Sequence, residues 1–320
     1  MTTVVVTGAT GFIGGHVARE LARRGVSVVA LHRRSSPPPQ RPGVTWKSLD
    51  EWERSGEPCV ALVHVAAVRH RHGVPPGEYG RQNIALTGRL LAAARGRAGR
   101  FVNVSSIAVF GWPKELPVDE SRPFAPVGPY GRSKVATEQM VRTSGIPYAI
   151  VRPSITYGPG DTNGMIDKLF RLVKAGKYYV VGSGRSRVQL VFAEDLAFAI
   201  AEAALRPGLE GAEFICTYRE PITILRLSTL VGEIAGRPVP SLRIPLPVAV
   251  AAGFALETLE KIGFGFGGGE PPVTREKLQT MTVDRAYRID RMRALLGWEP
   301  PTSYEEGLRK THAALARDAG

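Results

Sequence analysis

The sequence predicts an α/β fold, a doubly wound parallel sheet with a second, smaller C-terminal lobe, on three observations. Short apolar, β-branched runs alternate with longer amphipathic segments through the first half of the chain. Its first such run breaks into three glycines spaced three apart and then into helical periodicity. After about Gly158 the strand–helix rhythm weakens. The first two features give a βαβ series around a parallel sheet, and the third marks the change to a different unit.

The strands are expected at Val4–Thr7, Val26–Leu31, Cys59–Val65, Phe101–Ser105 and Tyr148–Arg152. Helical patterns lie between them at Ile13–Arg24, Glu78–Ala94 and Ser133–Thr143. Residues 35–42, rich in serine and proline, form an exposed, rigid connector. Beyond Gly158 the expected elements are helices at Met165–Ala175 and Asp195–Leu205 and a strand at Glu213–Thr217. Residues 1–157, with parts of 190–217, would form the nucleotide-binding unit, and 158–320 mainly the substrate lobe.

The glycine run carries the first chemistry. In Gly8-Ala9-Thr10-Gly11-Phe12-Ile13-Gly14, Gly8 allows a tight turn, Gly11 admits a pyrophosphate to the backbone, and Gly14 lets helix and strand pack closely. The helix that starts there offers unpaired N–H groups to an anion. A dinucleotide is the ligand this arrangement suits.

Composition narrows the rest. The chain has 320 residues, 42 Lys and Arg against 29 Asp and Glu, and a net charge of +13. That charge favours anionic partners, but the cations are scattered arginines without a nucleic-acid motif, so no specific nucleic acid is expected. Cys59 and Cys216 sit in apolar runs, suggesting neither a disulfide framework nor a metal site. The first strand begins at Thr3 with no basic, apolar leader ahead of it, which points to the cytoplasm. The Ile244–Leu256 stretch is apolar but too short to span a bilayer, and reads as a buried or interfacial helix. A cluster at Arg69-His70-Arg71-His72 follows a strand end, where ligands bind in open α/β sheets. It would hold an acidic group or form a solvated loop.

Tyr130 and Lys134 stand four apart on a helical segment, so they share one face. A nearby ammonium favours tyrosinate and would draw the phenol pKa down toward working pH.

The glycine spacing, together with His64-Val65-Ala66-Ala67, Asn83-Ile84-Ala85-Leu86-Thr87, Val104-Ser105-Ser106, Tyr130-Gly131-Arg132-Ser133-Lys134, Arg152-Pro153, Tyr157-Gly158-Pro159-Gly160 and Leu296-Gly297-Trp298-Glu299-Pro300, resembles the extended short-chain dehydrogenase/reductase family. The resemblance runs in order over nearly the whole chain. It includes nucleotide-sugar epimerases and 3β-hydroxysteroid dehydrogenases and implies a Rossmann-type sheet. It also implies a site in which Ser106 polarises the substrate oxygen, Tyr130 acts as general acid/base, and Lys134 lowers the Tyr130 pKa and binds the nicotinamide ribose. Ser105, Ala66, Asn83 and Pro153 would be cofactor-side positions beside Gly8, Thr10, Gly11, Phe12, Ile13 and Gly14. A homodimer is implied by the same resemblance.

His32 stands where NAD-preferring relatives carry an acid, while Arg33 and Arg34 suit a 2′-phosphate, so NADP(H) is favoured over NAD(H). Ile155 and Val188 replace the asparagine and arginine typical of sugar-nucleotide enzymes, although Arg187 lies one residue away. The expected reaction is therefore interconversion of a ketone and a secondary alcohol on a hydrophobic, sterol-, polyketide- or fatty 3-oxo-like substrate. Nucleotide-sugar epimerisation and a non-catalytic scaffold are the alternatives. The substrate pocket is expected to be apolar, lined by Ser106, Phe110, Tyr157 and the segment from Val248 to Phe266.

Overall fold

The computed structural model describes residues 2–33, 38–69, 73–162, 164–261 and 274–318. At its centre is a seven-stranded parallel sheet. β1 (Thr3–Thr7), β2 (Ser27–His32), β3 (Val44–Ser48), β4 (Ala61–His64), β5 (Phe101–Val104) and β6 (Tyr148–Pro153) are joined by a seventh strand, Ala212–Cys216. Across the sheet the order is Ala212–Cys216, β6, β5, β4, β1, β2, β3. The order reverses between β1 and β4, which pair with Val4 opposite Ala61 and Thr7 opposite His64. A crevice therefore opens at the carboxyl ends of those strands, where ligands bind in doubly wound sheets.

The apolar runs are central because both faces of a parallel sheet are covered. Val4, Val6, Val28, Ala30, Val63, Val102 and Val151 pack on one face with the helices Phe12–Arg23 and Ala193–Leu205. On the other, Val5, Val29, Leu62, Phe101 and Ile150 pack with Trp52, Leu90 and Val141. A second apolar cluster is built from later residues, among them Tyr157, Phe170, Val188, Phe192, Leu227 and Leu308. Cys59 and Cys216 are free and buried.

Several elements differ from the sequence expectation. β3 has no counterpart there, because Val44 is the only fully buried residue of this edge strand and no apolar run marks it. The single helix expected over Glu78–Ala94 is three pieces, a short helix Pro76–Tyr79, a π-turn Gly80–Ile84 and a helix Ala85–Ala94. The helix bearing Tyr130 begins at Gly128, five residues before the point the periodicity suggests. Of the connector at residues 35–42, positions 35–37 lie outside the described residues, and Pro38 is buried instead of exposed.

Candidate active site

The turn after β1 is closed by the Gly11 N–H donating to the Gly8 carbonyl at 2.9 Å. Gly8 has φ +74°, and a Cβ there would lie 2.8 Å from the Ala66 nitrogen. A Cβ on Gly14 would lie 2.2 Å from the Gly8 carbonyl oxygen. Both positions therefore require glycine. Gly11 caps the Phe12–Arg23 helix with no side chain bonded to that end, so the first-turn N–H groups around Phe12, Ile13 and Gly14 remain for an anion. Thr10 and Gly11 are exposed.

Behind this loop lies a buried polar relay that the sequence does not announce. Thr7 Oγ1 accepts from the Val65 and Ala66 N–H groups, both at 3.1 Å, and lies 2.8 Å from His64 Nδ1. His64 Nε2 lies 3.0 Å from Thr87 Oγ1, which donates to the Asn83 carbonyl at 2.8 Å. With the Thr87 proton committed, Nε2 must be the donor to Thr87, and Nδ1 accepts from Thr7. His64 is thus held as its neutral Nε2–H form. Burial, aided by the Lys134 charge, pushes its pKa down to about 3. The relay fixes Val65 and Ala66 against the glycine loop.

Asn83 occupies the π-turn and is buried. Its Oδ1 accepts from the Val68 N–H at 2.7 Å, and its Nδ2 donates to the Val68 carbonyl at 3.1 Å and to Ser133 Oγ at 3.0 Å. The side chain thereby clamps the loop after β4 to the helix that carries Tyr130.

Beyond β5, Ser105 is buried and its Oγ has no hydrogen-bond partner among the described residues. Ser106 caps a 3₁₀ turn, Ile107–Phe110, and its Oγ accepts from the Ala108 N–H at 3.1 Å. The Ser106 proton is then available to another oxygen. Tyr130 faces it closely enough for the Ser106 hydroxyl to favour the tyrosinate. The approach of helix to turn depends on Gly131, where a Cβ would sit 2.8 Å from the Ala108 carbonyl oxygen.

Lys134, one turn beyond Tyr130, is buried and donates its Nζ to the Val104 carbonyl at 2.9 Å. The ammonium lies 6.0 Å from the Tyr130 ring centroid. Burial pushes the Lys134 pKa down to about 8, opposed by the Glu138 carboxylate one turn on. Glu138 is itself fully buried and paired with Arg152 at 2.9 and 2.7 Å and with Arg142 at 2.8 Å. The expected lowering of the Tyr130 pKa by Lys134 is not what this arrangement gives. Burial pushes the phenol above its ordinary value, and Tyr79 adds to the rise; the Ser106 hydrogen bond and the Arg69 charge oppose it.

Arg69 is the site residue that the sequence shows only as part of a basic cluster. It donates to Asp161 Oδ1 at 3.2 Å and to the Thr162 carbonyl at 3.0 Å, tying the loop after β4 to the loop after Tyr157. His70, Arg71 and His72 lie outside the described residues. On the facing side, His16 Nε2 is 2.9 Å from the Pro159 carbonyl oxygen.

Other expected positions fall elsewhere. Pro153 is buried at the end of β6, opposite Cys216. Tyr157 is 1% exposed, its ring edge-on to Phe192 and its hydroxyl against Gly307, so it is a packing residue of the second apolar cluster. Phe110 is likewise buried, among Val109, Val118, Ile215 and Tyr287. Val248 and Phe254 are exposed and do not line an interior pocket; residues 262–266 of that segment lie outside the described residues. Arg33 is exposed and donates to Gln82 Oε1 at 3.1 Å; Arg34 lies outside the described residues. The uncapped glycine loop and the unpartnered Ser105 hydroxyl fit a dinucleotide.

A sheet that reverses at a glycine loop, with a serine–tyrosine–lysine group beside it, defines a nucleotide-dependent oxidoreductase class. Residues 4–216 match the model of the NAD dependent epimerase/dehydratase family. The chain belongs to that family and is an extended short-chain dehydrogenase/reductase. It is 29% identical over 338 residues to 2-alkyl-3-oxoalkanoate reductase of Stenotrophomonas maltophilia, covering 98% of this chain and 99% of the relative. It is 28% identical over 276 residues to UDP-glucose 4-epimerase of Azospirillum brasilense, covering 74% and 79%. Its fold is similar to that of UDP-glucose 4-epimerase with UDP-glucose from Thermotoga maritima, with a TM-score of 0.77, 21% identity and full coverage of both chains.

Proposed function

We propose that the protein is an NADP(H)-dependent oxidoreductase that interconverts a ketone and a secondary alcohol on a hydrophobic substrate through Ser106, Tyr130 and Lys134. The observation that carries this reading is the Lys134 ammonium 6.0 Å from the Tyr130 ring centroid, on a helix whose Gly131 packs against the Ala108 carbonyl of the Ser106 turn. A nicotinamide bound in this site would supply or accept the hydride at the carbinol carbon. In the reducing direction Ser106 donates a hydrogen bond to the carbonyl oxygen, and Tyr130 transfers its phenolic proton to that oxygen. Lys134 would hold the ribose hydroxyls with its ammonium. A raised phenol pKa suits reduction, because Tyr130 then carries its proton throughout the neutral range.

Residues 8–14, Ala66 and Ser105 would cradle the cofactor, with Asn83 and Pro153 shaping its walls. Arg33, exposed and without a carboxylate partner among the described residues, suits the 2′-phosphate. The cofactor unit would comprise residues 1–157 with parts of 190–217, the remainder holding substrate. A homodimer and a cytoplasmic location go with this reading.

A diphosphosugar is the weaker substrate because Val188 is fully buried and Arg187 is engaged by Asp284 at 2.8 Å. The sequence relative named as a 2-alkyl-3-oxoalkanoate reductase matches this chain over nearly its whole length and supports an apolar ketone. Purified protein should oxidise NADPH with long-chain 3-oxo esters or sterol ketones and not with UDP-4-keto sugars. Turnover confined to the sugar nucleotides would reject the proposal.

A further inference from the structure

The Leu246–Lys261 helix is built inside out for a surface helix of a globular protein. Such helices turn their apolar stripe inward and their charges outward. Here Ala249 and Gly253 face the protein, while Val248 is 57% and Phe254 61% exposed, with Val250 and Leu259 also exposed. From Leu246 to Leu256 there is no charged residue. Just before the helix, Leu242 is 68% exposed. An apolar surface of this kind requires a cover.

The surroundings indicate which cover. Arg243 precedes the helix, its strand pairs with Val180–Val181, and its Nη1 donates to the Ser183 carbonyl at 3.0 Å. The turn at residues 182–185 lies against Leu246. Arg237 donates to the Lys174 carbonyl at 2.9 Å. Lys174, Lys177, Arg185, Arg237 and Arg243 form no ion pair with a carboxylate among the described residues. The stretches 168–193 and 235–256, which build most of this face, contain no aspartate or glutamate; Glu257 and Glu260 come only in the last turn of the helix, beside Leu259. Elsewhere in the protein exposed arginines are commonly paired, as Arg89 is with Glu53 and Arg309 with Glu305. Tyr179 is exposed as well.

We propose that this face docks on an anionic lipid surface, with Val248, Val250 and Phe254 entering the acyl boundary and the five cations meeting the headgroups. The two components are the pair that reversible peripheral binding needs, since either alone is marginal. No helix among the described residues is long and apolar enough to cross a membrane, so the contact is interfacial. The inference stands apart from the catalytic reading, because it is measured as binding and not as turnover.

The test is sedimentation of the full chain with vesicles of phosphatidylcholine alone or mixed with phosphatidylglycerol, alongside light scattering of the free protein. The expected result is binding to the mixed vesicles only, weakened by added salt. Val248→Glu with Phe254→Glu should reduce the affinity by about tenfold or more, and Lys177→Glu with Arg185→Glu should do so by a similar factor. The second pair lies on a different segment and decides the matter if the first disturbs the helix. Equal binding to both vesicle types, no binding, or wild-type binding by the variants would overturn the proposal. So would a dimer in solution that Val248→Glu with Phe254→Glu dissociates, which would give this face to a second copy of the chain.

Discussion

Lys134 donates its ammonium to the Val104 carbonyl at 2.9 Å, one turn beyond Tyr130 on the same helix. The hydrogen bond anchors the cation to the end of β5, and Glu138 on the following turn holds its charge against the pull of burial. If the ammonium binds the nicotinamide ribose, cofactor affinity must follow its titration. Lys134 loses its proton as pH rises through about 8, so the NADPH dissociation constant should climb over that range. Glu138→Gln removes the group that keeps the charge on and should move the climb to lower pH. It also leaves Arg152 underpaired in the interior, at a cost of about 3–5 kcal/mol. A fluorescence titration of NADPH against pH that is flat from pH 7 to 10 (roughly the span of the lysine titration) would contradict this role.

Arg69 is the cation that opposes the rise in the Tyr130 pKa. Alcohol oxidation needs the tyrosinate, so its kcat/KM should increase with pH up to the phenol's titration. Arg69→Gln should move that midpoint upward, because it removes a charge that favours the tyrosinate. An unchanged profile in the variant would separate Arg69 from the chemistry and leave it only as the partner of Asp161.

Cofactor preference rests on the end of β2. Arg33→Ala should weaken NADPH binding by roughly 1–3 kcal/mol and leave NADH nearly unaffected. Calorimetric titration of both nucleotides reads this directly; equal losses, or a wild-type preference for NADH, would remove the 2′-phosphate assignment.

His64 gives a stability signature. Its folded pKa of about 3 lies below the ordinary 6.5, so in acid the unfolded chain binds a proton that the fold refuses. Its contribution is fully present above 6.5 and is lost as pH falls toward 3. His64→Gln keeps a polar side chain and removes this titration, so the variant's melting temperature should fall less steeply than the wild type's over that interval. Asp195, whose carboxyl is raised to about 6, titrates in the same range in both proteins and cancels in the comparison. Parallel curves would mean that His64 is not held neutral.

Much of the site is legible in the sequence because its residues lie where backbone geometry leaves little choice. The three glycines follow a β-branched run and precede a helix, and Gly8 and Gly14 have no room for a Cβ. Ser106 and Tyr130 meet because a strand end and a helix start converge at Gly131, but sequence spacing alone does not show the closeness of Gly131 to Ala108. Glu138 and His64 escape for a different reason: a charge or ring buried by tertiary packing has no local pattern. Tyr157 and Phe110, placed at the substrate pocket by the sequence reading, are buried in apolar clusters. β3 stays hidden because an edge strand buries too little to display a run.

The central claim is proton transfer by Tyr130. Tyr130→Phe keeps the ring against Tyr79 and removes the phenolic hydroxyl. Single-turnover reduction of a hydrophobic ketone by the NADPH-loaded variant should slow by about 10²-fold or more, with NADPH affinity unchanged. A single-turnover rate close to that of the wild type would contradict the claim.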